Sequence, residues 1–95
     1  MANAPTLTLL GRAGCHLCDA MRMELVSHLA RAGWVLEEID ITGKPDLESR
    51  YGWDIPVLLA DGQEICRHFF DESAWNSWQH AWRQEWLSTV KAEIR

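Results

Sequence analysis

Apolar residues recur with two different periods along this 95-residue chain, and the changes of period divide it into successive elements. Thr6-Leu7-Thr8-Leu9-Leu10 is a short β-branched and leucine-rich run, closed by Gly11 and Gly14, and predicts a strand. From His16 to Ala32 the period lengthens. Cys18, Met21, Leu25, Leu29 and Ala32 recur at three- and four-residue steps, a helical stripe that Gly33 stops. Trp34 to Ile41 alternates poorly but is rich in strand formers and predicts a second strand. Gly43-Lys44-Pro45 opens a brief helix, Asp46 to Tyr51, ended by Gly52. Val57-Leu58-Leu59-Ala60 and Gln63 to Arg67 flank the turn pair Asp61-Gly62, a strong hairpin signature. Asp71 then caps a long helix running to about Lys91.

The order β-α-β-α-β-β-α predicts an α/β fold. The first two strands, joined through a helix, should run parallel, since that crossover needs about a dozen residues, and the hairpin adds antiparallel strands. The expected sheet has four strands, is mixed, and carries helices on both faces. The length suits a single domain spanning residues 1–95, and 47% hydrophobic residues can furnish one core. A net charge of −5 with no lysine- or arginine-rich block argues against nucleic acid as a partner. No apolar run approaches membrane-spanning length. Met1-Ala2-Asn3-Ala4-Pro5 lacks the charged and apolar regions of a signal peptide. Three cysteines, two of them in one motif, do not resemble a secreted disulfide framework, so the expected location is the cytoplasm.

That motif, Cys15-His16-Leu17-Cys18, directly follows the first strand and opens the first long helix. Cysteines so spaced at a helix start have Cα atoms roughly 5 Å apart, within disulfide reach. The helix N-terminus supplies unpaired N–H donors and a partial positive charge, both of which favour a thiolate at Cys15. Cys18, one turn in on the same face, is shielded and suits the resolving thiol. The competing reading is half a zinc site, but no second CxxC or paired histidine completes four ligands. His16 is either a solvated side chain or a tuning group: a neutral imidazole donates to sulfur, whereas a cationic one stabilises thiolate yet opposes the helix dipole. Cys66 follows Ile65, so strand alternation sends the two to opposite faces. With Ile65 in the main core, Cys66 falls under the short second helix or in solvent. Asp40 receives a structural reading only. Trp75, Trp78, Trp82 and Trp86 share one helix face and read first as a core stripe of a monomer. A partner or dimer surface on that helix is the alternative.

The element order, the CxxC after the first strand, and Tyr51-Gly52-Trp53-Asp54-Ile55-Pro56-Val57 ahead of the hairpin together resemble the glutaredoxin branch of the thioredoxin-like superfamily. The similarity extends over nearly the whole chain and is greatest to small glutaredoxin-like proteins with a "CHLC" site. It implies a thioredoxin-like fold and a dithiol site with Cys15 and Cys18 catalytic and His16 and Arg12 tuning the thiolate. It further implies a cis Pro56 facing the cysteines, with the Ile55 backbone free to pair with an extended substrate. Asp71, with Glu72, matches the acidic residue that anchors the amino end of glutathione. The Gly-Gly pair that usually precedes that residue is replaced by Arg67-His68-Phe69-Phe70, which weakens the case for glutathione. Thioredoxin itself fits less well, since Gly14 stands where a tryptophan is expected. The expected function is a thiol–disulfide oxidoreductase acting on protein or small-molecule disulfides, with no organic cofactor or metal. Its electrons would come from glutathione as co-substrate or from a flavin-dependent reductase. A metal or iron–sulfur module on the same cysteines, or a non-catalytic interaction protein, are the alternatives.

Overall fold

A computed structural model describes the backbone of residues 4–94 and side chains through residue 89. The elements are β1 (Leu7–Gly11), α1 (His16–Ala32), β2 (Leu36–Asp40), α2 (Pro45–Tyr51), β3 (Val57–Ala60), β4 (Gln63–Arg67) and α3 (Glu72–Ile94). The strands lie in the order β2-β1-β3-β4. β1 pairs parallel to β2 and antiparallel to β3, and β3 pairs antiparallel to β4. Each long-range feature has a local cause. Gly33 ends α1 in the left-handed region, at φ 73°, and its N–H donates to the Leu29 carbonyl at 2.8 Å. Asp61 and Gly62 both take positive φ, which lets the hairpin turn match the twist of its strands. The Asp61 carboxylate then accepts from the Thr6 N–H at 2.9 Å, tying the turn to the start of β1.

Two apolar layers sandwich the sheet. On one face Leu7, Leu9, Leu58, Ala60 and Cys66 pack with Met21 and Leu25 of α1 and Trp75 of α3. On the other, Leu10, Val57 and Ile41 pack with Leu47 and Tyr51 of α2. The mixed sheet with helices on both faces is therefore as expected, and it is the thioredoxin-like arrangement.

Three details differ from the sequence expectation. β2 begins at Leu36, because Trp34 turns into the core against Trp75, Trp78 and Trp82 with ring centroids 5.2–6.1 Å away. Cys66 lies neither under α2 nor in solvent: it is buried in the α1/α3 layer. A β-bulge causes this. Leu58 pairs with Cys66 and Leu59 with Glu64, so Ile65 is an extra residue and the alternation breaks at that point. The tryptophan stripe is core-facing only along its first part. Trp75 is buried, Trp78 and Trp82 are partly so, and Trp86 is half-exposed. A 23-residue helix is about 34 Å long, whereas strands of four or five residues span only about 13–17 Å, so α3 outruns the sheet.

Candidate active site

The register gathers one end of the sheet into a site. Gly11 aligns with Asp40, Leu10 with Val57, and Val57 with Arg67. The loops after β1, β2 and β4 and the loop before β3 therefore emerge together. Cys15 stands on the first of these loops, Ile55 and Pro56 on the loop before β3, and His68 to Asp71 on the last.

Cys15 and Cys18 form a disulfide, with Cα atoms 5.2 Å apart. Cys15 is the N-cap of α1, with extended backbone, and its sulfur accepts the Cys18 N–H at 3.1 Å. That position puts the sulfur on an unpaired helix donor and at the positive end of the helix dipole, where negative charge on sulfur is favoured. The two cysteines differ in access: Cys15 is half-exposed, while Cys18 is only 2% exposed. Gly11 explains how closely Cys18 is enclosed. A Cβ at Gly11 would lie 2.9 Å from the Cys18 sulfur, so the end of β1 has room there only for hydrogen. A cavity of ≈ 240 Å³ opens beside Cys18, between Gly14, Arg22, Glu38 and Asp40.

Other predicted site residues occupy defined positions. His16 is exposed and makes no hydrogen bond or ion pair among the described residues. Arg12 turns toward α2, where it pairs with Glu48 at 2.7 Å and donates to the Thr42 hydroxyl at 3.3 Å. Asp40 accepts from the Thr42 amide at 2.9 Å. That bond, with contributions from the Thr42 side chain, the Ala13 amide and the charge of Arg12, holds its carboxyl below the usual range. The Ile55–Pro56 bond is cis, and Pro56 is buried. The Pro56 carbonyl accepts the His68 N–H at 2.7 Å, but the N–H and C=O of Ile55 enter no hydrogen bond among the described residues. Asp71 caps α3, its carboxylate accepting the Ala74 N–H at 3.0 Å.

One cluster escaped the sequence reading. Asp54, two residues before Pro56, accepts from Arg67 at 2.9 Å and lies 3.2 Å from the His68 imidazole. Arg67 also grips Glu64 through two bonds of 2.6 and 2.7 Å. His68 sits at φ 73°, a conformation glycine favours, at the position where the glutaredoxin pattern has its glycine pair. That departure from the pattern was the available signal. Nothing in the sequence marked Asp54, whose partners lie beyond a whole hairpin. Among the described residues no group of three or more His, Cys, Asp or Glu is arranged to hold a metal ion.

The fold and the paired cysteines define a small thioredoxin-fold protein with a thiol redox-type site. Residues 6–78 match the glutaredoxin-like domain family (DUF836), and the chain belongs to that family. It is 33% identical over 75 residues to the uncharacterized protein Rv0508 of Mycobacterium tuberculosis, an alignment covering 74% of this chain and 77% of that one. Two solved structures are similar. The solution structure of protein Ne2328 from Nitrosomonas europaea has a TM-score of 0.75 and 31% identity, covering 82% of this chain and 94% of that one. The X-ray structure of the structural-genomics target XcR50 from X. campestris has a TM-score of 0.65 and 38% identity, covering 80% and 97%.

Proposed function

We propose that this protein is a dithiol–disulfide oxidoreductase in which Cys15 attacks and Cys18 resolves. One observation carries the reading: a half-exposed sulfur caps α1 while its partner sulfur lies buried one turn inside, within bonding reach. In the dithiol form, the Cys15 thiolate attacks one sulfur of a substrate disulfide, forming a mixed disulfide and expelling the other sulfur as a thiolate. Cys18, deprotonated in turn, attacks the Cys15 sulfur and expels the second substrate thiolate. Two electrons pass to the substrate, two protons follow to its thiols, and the Cys15–Cys18 disulfide results. The dithiol carries both electrons, so the scheme requires no organic cofactor or metal. A thiol such as glutathione, or a flavin-dependent reductase, restores the dithiol.

In this scheme His16 and Arg12 adjust the thiolate, Arg12 through a charge it shares with Glu48. Ile55 and Pro56 line the approach to Cys15, and Asp71 adds negative charge at its edge. Among the described residues no helix is long and apolar enough to cross a membrane. A reducing cytoplasm is the location that suits the dithiol cycle.

Equilibration in graded glutathione redox buffers, followed by alkylation and mass spectrometry, tests the reading. A reversible two-electron midpoint between about −180 and −270 mV is expected, as for working redoxins. If no Cys15–Cys18 disulfide forms at any ratio, and both thiols alkylate like an ordinary cysteine, the reading fails.

A further inference from the structure

A second concave surface lies between the end of α1 and the outer half of α3. α1 begins at the cysteines and ends at Ala32, so about 24 Å of helix separates this surface from the dithiol. Two hollows meet there, sharing Ala32 and Arg83. The first, of ≈ 320 Å³, is walled by Trp34, Trp82, Trp86 and Leu87. The second, of ≈ 260 Å³, is polar and includes Arg31, Asn76, Gln79 and Glu72. The overhang of α3 beyond the sheet creates the apolar half. Trp82 still packs against the core, whereas Trp86 and Leu87 belong to neither apolar layer among the described residues.

Shape narrows the ligand. Trp34 and Trp82 meet edge to face, with ring centroids 5.2 Å apart and planes at 74°. Such a corner offers one indole face beside another's edge, and a flat aromatic ring matches both better than a flexible chain does. A hollow of this size is at the low end for small-molecule sites, which suits a ligand of two fused rings.

Charge supplies the second constraint. The chain carries a net charge of −5, yet both cations at this groove lack a carboxylate partner among the described residues. Arg31 sits in the last turn of α1, where the helix's own terminal carbonyls engage its charge. Arg83 is mid-helix and exposed, and it stands where the apolar and polar halves join. Its planar fork matches a carboxylate and can anchor the head of a ligand. Glu72, about 16 Å back along α3, opposes a second negative charge in the polar half.

We propose that this groove binds a flat aromatic monoanion, its rings among Trp34, Trp82 and Trp86 and its carboxylate on Arg83. The site is separate from the dithiol and does not depend on the oxidoreductase reading.

Naphthoate is titrated into the full chain and followed by the indole N–H signals in nitrogen–proton NMR spectra, assigned with single Trp→Phe variants. Trp34, Trp82 and Trp86 should shift and saturate with a Kd below about 1 mM. Trp53, 96% exposed at the dithiol end, should stay fixed. Naphthamide, the same rings without the charge, should bind at least about threefold more weakly. Arg83→Gln, which keeps a good helix former at an exposed position, should remove that difference by weakening naphthoate alone about three- to tenfold. Trp86→Ala should weaken both ligands alike. Shifts led by Trp53, shifts that never saturate, equal affinity for the two ligands, or an Arg83→Gln variant that still prefers naphthoate overturns the inference. Indole signals that move with protein concentration in the absence of ligand also overturn it, since a second copy would then fill the groove.

Discussion

Gly11→Ala is the substitution whose effect the geometry constrains most tightly. An added methyl carbon would lie 2.9 Å from the Cys18 sulfur and 3.3 Å from its Cβ, closer than carbon and sulfur approach without repulsion. Both atoms are enclosed by β1 and α1, so neither can give way at no cost. Overpacking of this kind typically costs about 1–3 kcal/mol. Alanine opposes it by restricting the unfolded chain, which contributes about 0.4–1 kcal/mol in the other direction. The steric effect is the larger, and a net loss of about 1–2 kcal/mol follows, or about 4–16 °C in Tm for a chain of this size. The loss should be greater in the oxidised form, where the Cys18 sulfur is bonded to Cys15. In the dithiol form the side chain can turn away. Each 1.4 kcal/mol that falls on the disulfide form alone raises the reduction potential by about 30 mV. Thermal unfolding of both redox forms, with a redox-buffer titration, reads both effects. An oxidised variant as stable as the parent, with an unchanged potential, would refute the reasoning.

Three further outcomes are expected. Asp71→Ala removes the cap of α3 and should cost about 0.5–2 kcal/mol in denaturant titration, whereas Asp71→Asn, which can still accept the Ala74 amide, should recover most of it; equal loss in both would show that the cap is not the cause. Burial pushes the Cys66 thiol up, so in the reduced native protein iodoacetamide should modify the half-exposed Cys15 well before Cys66, and prompt labelling of Cys66 would contradict its position in the core. Three carboxyls are held below their ordinary values: Asp40 chiefly by the Thr42 amide, Glu48 by Arg12 and Glu64 by Arg67. A depressed carboxyl pKa contributes stability above the ordinary value and loses it as pH falls through the folded one, so Tm should decline below the ordinary values of 3.8 and 4.5. Glu48→Gln should make that decline shallower, and an unchanged acid slope would contradict the Arg12 pairing.

The sequence patterns that proved readable are those whose physics is local. Asp61-Gly62 must turn, Asp71 must cap, and the long α1 crossover allows β1 and β2 to pair in parallel, so much of the topology and the location of the cysteines followed from short stretches of chain. What stayed hidden depends on residues far apart. The bulge that carries Cys66 into the core arises from the pairing of β4 with β3, and a single inserted residue leaves no mark in composition. Arg12 could be read as a cation near Cys15 but not as a partner of Glu48, because that pairing depends on where α2 docks. Gly11 read as a turn residue ending a strand. It is instead the last residue of β1, and its missing side chain makes room for Cys18. Asp54 and His68 meet only after the hairpin has folded.

The Cys15 sulfur takes part in two bonding systems at once, since the atom assigned to the chemistry also receives the amide proton that secures the first turn of α1. Whatever happens to that sulfur is therefore registered by a neighbouring backbone proton. A thiolate should hold the Cys18 amide most firmly, a disulfide less so, and a bulky adduct least, as the acceptor loses charge or is drawn away. Hydrogen exchange or the chemical shift at that single amide would then report the redox state of the site without a label, and fraying of the helix start would accompany each turnover.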